Sequence, residues 1–282
     1  MNLPYDENYL REMELWPFFE SQQRRGDVPI VSVLAEPGKR AQTPATAPRT
    51  HVVEAPYQQG TPAAAASRRE PGVRPPPTQV HTPPASMPAD PARLARIAQL
   101  DWEGLKADVA SCTACVLCKQ RKQAVLGVGA IDAPWLFLGE GPGAEEDEVG
   151  EPFVGPAGKL LDAMLAATGL QRGREVYIVN TVKCRPPGNR NPSAEEVEAC
   201  APYLERQIDL IKPKLIVALG KIAATRVTGA ESSMAALRGQ LYTYRSIPVV
   251  ATYHPAYYLR TPPDKVKGWE DLMLARKTMA GL

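Results

Sequence analysis

The sequence predicts an α/β domain: three layers, helix on sheet on helix, built on a mainly parallel sheet of four strands and preceded by a disordered N-terminal tail. Three observations carry that expectation. Four short apolar runs, Trp135–Leu138, Val176–Val179, Leu215–Leu219 and Val249–Thr252, have the unbroken hydrophobicity of strands buried on both faces. Helical patterns alternate with these runs, as crossovers between parallel strands require. Fourteen of the 29 prolines crowd into residues 21–92, where large apolar residues are scarce. Such a stretch cannot bury enough area to offset its ordering entropy.

Taken in order, residues 1–20 form a short amphipathic segment with Tyr9, Leu10, Met13, Leu15, Trp16, Phe18 and Phe19. That cluster suits either a docking helix for a protein partner or a segment that packs back on the domain. The segment is acidic and polar, unlike a secretory signal. Residues 21–92 read as a Pro/Ala/Arg-rich linker. Between 21 and 95, nine basic residues face five acidic ones, which fits loose attraction to a polyanion as well as an ordinary solvated linker. Residues 93–282 remain for one folded domain.

Within that domain, Gly158–Thr168 carries Leu160, Leu161, Met164 and Leu165 at helical spacing. The next helix opens on Asn191-Pro192-Ser193 with Glu196 three residues beyond the serine, a capping box. Its apolar stripe runs through Val197, Cys200, Leu204, Ile208 and Ile211. A last helix is expected over Asp264–Met279. No apolar run approaches the roughly 20 residues of a membrane span, so no membrane partner is expected. The formal net charge of +2 selects no partner.

Open parallel sheets bind ligands beyond the carboxyl ends of their strands. Three of the four strands end there in polar punctuation. The first enters Gly139-Glu140-Gly141-Pro142-Gly143, the second Asn180-Thr181-Val182-Lys183, and the last Tyr253-His254-Pro255-Ala256. The glycines admit close backbone approach to a ligand, and the proline stiffens the turn. A carboxylate, a carboxamide and an imidazole are therefore expected on one rim.

The five cysteines are Cys112, Cys115, Cys118, Cys184 and Cys200. With no export signal, disulfides are not expected. A close pair followed at a distance by two more cysteines points to a thiolate-held metal centre, zinc or iron–sulfur, and spacing does not choose between them. Cys118 shares the turn of the first pair and suits the ligand role as well as Cys115.

Together these residues resemble the iron–sulfur (family 4 type) uracil-DNA glycosylases. The likeness runs from about Leu100 to Arg260. It rests on Cys112-x-x-Cys115, the Gly139–Gly143 loop, Gly150-Glu-Pro-Phe-Val-Gly155, Asn180-Thr-Val-Lys-Cys-Arg-Pro-Pro187, Asn189-Arg-Asn-Pro192, Cys200 and His254-Pro-Ala256 with Leu259-Arg260. Tyr257-Tyr258 depart from the smaller or aliphatic residues common at those positions. The resemblance implies a [4Fe–4S] cluster on Cys112, Cys115, Cys184 and Cys200, leaving Cys118 as an extra thiol. It implies uracil-containing DNA as substrate, and a monomeric, cytoplasmic repair enzyme that flips uracil out, hydrolyses its glycosidic bond and leaves an abasic site.

The implied roles follow the chemistry of each side chain. Glu140 holds or activates the attacking water, and His254 stabilises the departing base. Phe153 stacks on the flipped ring, Asn180 reads its N3–H and O4, and the backbone of Gly141 and Gly143 lines the pocket. Lys183, Arg185 and Arg190 are expected on phosphates, with Leu259 and Arg260 filling the space the base vacates. The competing readings are a catalytically idle DNA-binding module and a relative that traps its product through histidine. The latter is associated with a basic insertion before His-Pro, and none lies between Ile247 and His254.

Overall fold

A computed structural model of the chain describes Arg11 and residues 90–282. Apart from Arg11 and the first residues of the domain, the expectations for segments 1–20 and 21–92 lie outside the described residues. Within residues 90–282 the first helix, α1, spans Pro91–Gln99 and is capped by the Asp90 carboxylate, which accepts from Ala92 N–H at 3.0 Å. This helix opens at Pro91, inside the segment 21–92 expected to be linker. Helix α2 (Trp102–Ser111) follows, capped by Asp101.

The sheet has six strands in the order β1-β3-β2-β4-β6-β5. The four expected runs are its parallel centre: β2 (Trp135–Gly139), β3 (Val176–Asn180), β4 (Leu215–Leu219) and β6 (Ile247–Thr252). Two antiparallel edge strands not foreseen from sequence complete it, β1 (Val128–Gly129) on β3 and β5 (Leu241–Tyr244) on β6. Neither is a continuous apolar run, because an edge strand is not enclosed on both faces.

Alternate strand residues feed two cores. Trp135, Phe137, Ile178, Val217 and Val250 meet α4 (Pro156–Ala167) and the last helix, α9 (Lys265–Ala280). Leu136, Leu138, Val179, Ile216 and Ala251 meet α5 (Ala194–Ile211) and α6 (Lys221–Thr228). The expected capping box is formed: Ser193 Oγ accepts from Glu196 N–H while the Glu196 carboxylate accepts from Ser193 N–H. Short helices α3 (Ala144–Val149), α7 (Met234–Leu237) and α8 (Pro255–Arg260) fill the remaining connections. No helix among the described residues is long and apolar enough to cross a membrane.

The chain runs from β2 to β3 on one side and reaches β4 on the other. The topological switch point therefore lies between the carboxyl ends of β2 and β4, where this sheet class places its ligands.

Candidate active site

A cleft of about 490 Å³ opens at that switch point. Glu140, Asn180 and His254, remote in sequence, all line it. The register explains two of them: Gly139 pairs with Asn180 across β2 and β3, so the loops after both strands leave the sheet side by side. They are stitched together where Thr181 N–H and Oγ–H both donate to Gly139 O at 2.9 Å and Val182 N–H donates to Glu140 O at 3.1 Å.

Glu140 crosses the switch point to the N-terminus of α6, where its Oε1 accepts from Ile222 N–H at 3.0 Å. Burial raises its pKa, opposed by backbone N–H groups of Ile222 and Lys221. The approach depends on Gly220, a residue that sequence reasoning passed over. Its φ is +94°, and a Cβ there would stand 2.5 Å from Glu140 Oε1 and 3.2 Å from the His254 Cβ. One glycine thus brings carboxylate and imidazole to the same wall.

His254 caps α8, with Nδ1 accepting from Ala256 N–H at 3.2 Å. An accepting Nδ1 leaves the proton of a neutral ring on Nε2. The neutral form is favoured because burial, with help from Arg260, depresses the pKa to about 4. The site therefore contains a neutral N–H donor and a carboxylate with raised basicity, two groups whose environments differ in the way acid–base chemistry requires.

Asn180 is 2% exposed, and its Oδ1 has no hydrogen-bond partner. An unpaired buried acceptor costs about 1–3 kcal/mol, so it calls for a ligand that donates. Phe153 lies beside it, stacked on the His254 ring at 5.3 Å between centroids and 26° between planes. Its φ of +56° places a bulky aromatic in the left-handed region, a strain of about 1–3 kcal/mol that is typical of functional sites. Glu146, also missed from sequence, holds the loops: its carboxylate accepts from the N–H groups of Gly143, Val154 and Gly155 at 3.0–3.1 Å. In sequence it reads only as a first-turn helix acid.

The other expected contacts divide. Gly141, Gly143, Arg190 and Arg260 line the cleft. Arg190 also makes a bidentate pair with Glu196 at 2.6 and 2.8 Å. Arg185 donates to Asn189 Oδ1 at 2.7 Å and does not line the cleft, whereas Leu259 is 42% exposed beside Arg260. Tyr258 is buried with its hydroxyl 2.8 Å from Thr252 Oγ, and Tyr257 stacks on Tyr253; neither lines the cleft.

Lys183 corrects the sequence expectation. It is 1% exposed, its Nζ donates to Asn180 O at 2.6 Å, and it cannot reach a phosphate. It instead borders a second, small cavity lined by all five cysteines. Burial lowers its pKa to about 8, and Cys200 and Cys184 are the charges that oppose this. Arg121 Nη1 donates to Cys184 Sγ at 2.9 Å, and Lys183 N–H donates to Cys200 Sγ at 3.3 Å. Burial raises the thiol pKa of Cys115 and Cys184, and of Cys200 to about 12. Among the described residues, no three Cys, His, Asp or Glu side chains are grouped to grip a single metal ion.

A switch-point cleft lined by a neutral imidazole, a half-buried carboxylate and a buried amide marks an α/β protein with its ligand site at the strand ends. Comparison with known proteins gives the family. The sequence model of the uracil DNA glycosylase superfamily matches residues 126–273. The chain is 43% identical over 183 residues to a type-4 uracil-DNA glycosylase of Pyrobaculum aerophilum, covering 62% of this chain and 93% of that protein. A type-4 uracil-DNA glycosylase of Thermotoga maritima is 45% identical over 161 residues, 56% of this chain and 83% of its own length. One of Archaeoglobus fulgidus is 45% identical over 163 residues, 55% of this chain and 81% of its own. The chain belongs to the uracil DNA glycosylase superfamily.

Proposed function

We propose that the chain is a DNA-repair glycosylase that hydrolyses the N-glycosidic bond of uracil in DNA and leaves an abasic site. The observation that carries this reading is the unpartnered Asn180 Oδ1 in the cleft. Uracil presents N3–H beside O4, which the amide oxygen and amide nitrogen complement. Cytosine presents an acceptor at N3 and an amine at C4, and meets the same amide with like facing like.

In the reaction the base leaves the stack and enters the cleft, at a cost of a few kcal/mol. Phe153 provides the stacking surface, and the Gly141 and Gly143 backbone approaches closely. As the bond breaks, positive charge grows on the sugar and negative charge on the base. Neutral His254 donates from Nε2 to uracil O2 and stabilises that anion; one placed donor is worth roughly 3–4 kcal/mol. Glu140 takes the proton of the attacking water, and its carboxylate offsets the sugar's charge. Arg190 and Arg260 at the cleft wall, with Arg185 and Leu259 nearby, engage the flanking DNA.

Two features favour a monofunctional hydrolase. Among the described residues lining the cleft there is no lysine to attack the sugar. Strand β6 ends at Thr252, so only Tyr253 separates it from His254 and no basic loop intervenes. This disfavours product trapping.

We infer that the cysteine cavity holds a [4Fe–4S] cluster on Cys112, Cys115, Cys184 and Cys200, as the resemblance to type-4 uracil-DNA glycosylases implies. The donor chemistry supports it: a buried lysine and Arg121 face thiols that burial otherwise keeps protonated, so an anionic thiolate centre relieves both. A cluster also spaces its thiolates over separate irons instead of crowding them on one ion. When bound, it would serve to fix the Cys112 region and the loop before α5.

The test is incubation of the protein with an oligonucleotide carrying one uracil. Free uracil and alkali-labile sites, with no strand break before alkali, are the expected products. DNA binding without uracil release would favour the idle module.

A further inference from the structure

The loop that carries Phe153 is held from two sides, and only one of them faces the cleft. Glu146 takes the N–H groups of Val154 and Gly155. From behind, Arg172, in the loop between α4 and β3, donates through Nη1 to Pro152 O at 2.9 Å and through Nη2 to Phe153 O at 2.8 Å. The same guanidinium also donates through Nε to the exposed Asp162 carboxylate at 2.8 Å. Arg172 does not line the cleft.

The clamp falls on a strained residue. Phe153 has φ +56°, a conformation a bulky residue keeps only when its surroundings impose it. Its carbonyl is tightly placed: a Cβ on Gly158 would come within 1.8 Å of Phe153 O. The planar fork of arginine suits two adjacent carbonyls, and a single ammonium does not reproduce it.

We propose that Arg172 is a positioning residue for base capture, holding the Pro152 and Phe153 carbonyls so that the Phe153 ring is set for the extruded base. The inference rests on the proposed reading that Phe153 stacks on that base. Because the clamp acts on pre-organisation of a stacking surface, its loss weakens capture of the flipped base more than the chemical step.

The experiment compares steady-state release of uracil from a single-uracil oligonucleotide by the full chain and by Arg172→Ala, Arg172→Lys, Asp162→Ala, Phe153→Ala and the double variant R172A/F153A, with thermal melts of each. Arg172→Ala is expected to raise KM about tenfold with kcat within about twofold, inside the range that loss of base stacking spans. Arg172→Lys falls between it and wild type, and Asp162→Ala, which removes a solvent-exposed ion pair, stays near wild type. The double variant is expected to be no worse than Phe153→Ala alone, since the clamp acts only through the ring. Should Arg172→Ala not fold, Arg172→Lys set against Phe153→Ala and R172K/F153A carries the same comparison. A large effect of Phe153→Ala with none of Arg172→Ala overturns the clamp and leaves the stacking reading standing. Effects that multiply in the double variant overturn it in favour of a general structural role. No effect of Phe153→Ala removes the stacking reading itself.

Discussion

Replacing Gly220 with alanine should displace Glu140 from its place beside His254 while leaving both proposed catalytic side chains in the protein. The added Cβ would lie 2.5 Å from Glu140 Oε1 and 2.8 Å from its Cδ, closer than real carbon contacts allow. The carboxylate must then retreat by roughly 0.5–1 Å, and a misplacement of that size costs about 100-fold in rate. Retreat also strains the bond to Ile222 N–H, a hydrogen bond to a charged group worth about 1.5–3 kcal/mol. The backbone adds its own penalty, since φ +94° with ψ 175° is a region reserved for glycine and costs an L-residue about 2 kcal/mol. Single-turnover uracil release with excess enzyme should therefore slow about 100-fold, while the melting temperature falls by about 2–8 °C. A folded Gly220→Ala protein within about threefold of the wild-type rate would show that the switch-point glycine does not set the position of Glu140.

Further outcomes follow from the same geometry. Glu140→Gln should abolish activity yet raise thermal stability at pH 7: the folded pKa of Glu140 is raised, so its ionised form burdens the folded state, and the gain should vanish below its ordinary pKa of about 4.5. His254 behaves oppositely at acid pH. Its folded pKa of about 4 lies below the usual 6.5, so its contribution is complete above 6.5 and is lost as pH falls toward 4, which denaturant titrations of wild type and His254→Ala across that window would measure. Alanine at Cys112, Cys115, Cys184 or Cys200 should lower bound iron and sulfide and the visible absorbance, whereas Cys118→Ala should keep them.

What the sequence made legible was chemistry attached to strand ends. Buried parallel strands announce themselves as unbroken apolar runs, and the polar residues that terminate them fall on one rim by topology. Glu140, Asn180 and His254 were readable for that reason. Gly220 was not, because a single glycine after a strand carries no chemistry until the residue it must accommodate is known. Lys183 misled because a lysine next to arginines suggests surface charge, and its burial depends on cysteines that the fold brings to it. Arg172 gave no local signal either: its partners, Pro152 and Phe153, are backbone carbonyls about twenty residues away. Strand β5 was hidden by its half-exposed alternation, the ordinary pattern of an edge.

In the proposed reaction three side chains from separate strand ends act together on uracil in one cleft. Single-turnover release of uracil from a defined oligonucleotide, measured for the wild-type chain beside Glu140→Ala, Asn180→Ala and His254→Ala with a cytosine control, tests it most directly. The wild type should release uracil and not cytosine, and each variant should lose about 100-fold or more. A wild-type protein that leaves uracil in place, or variants that release it at the wild-type rate, would contradict it.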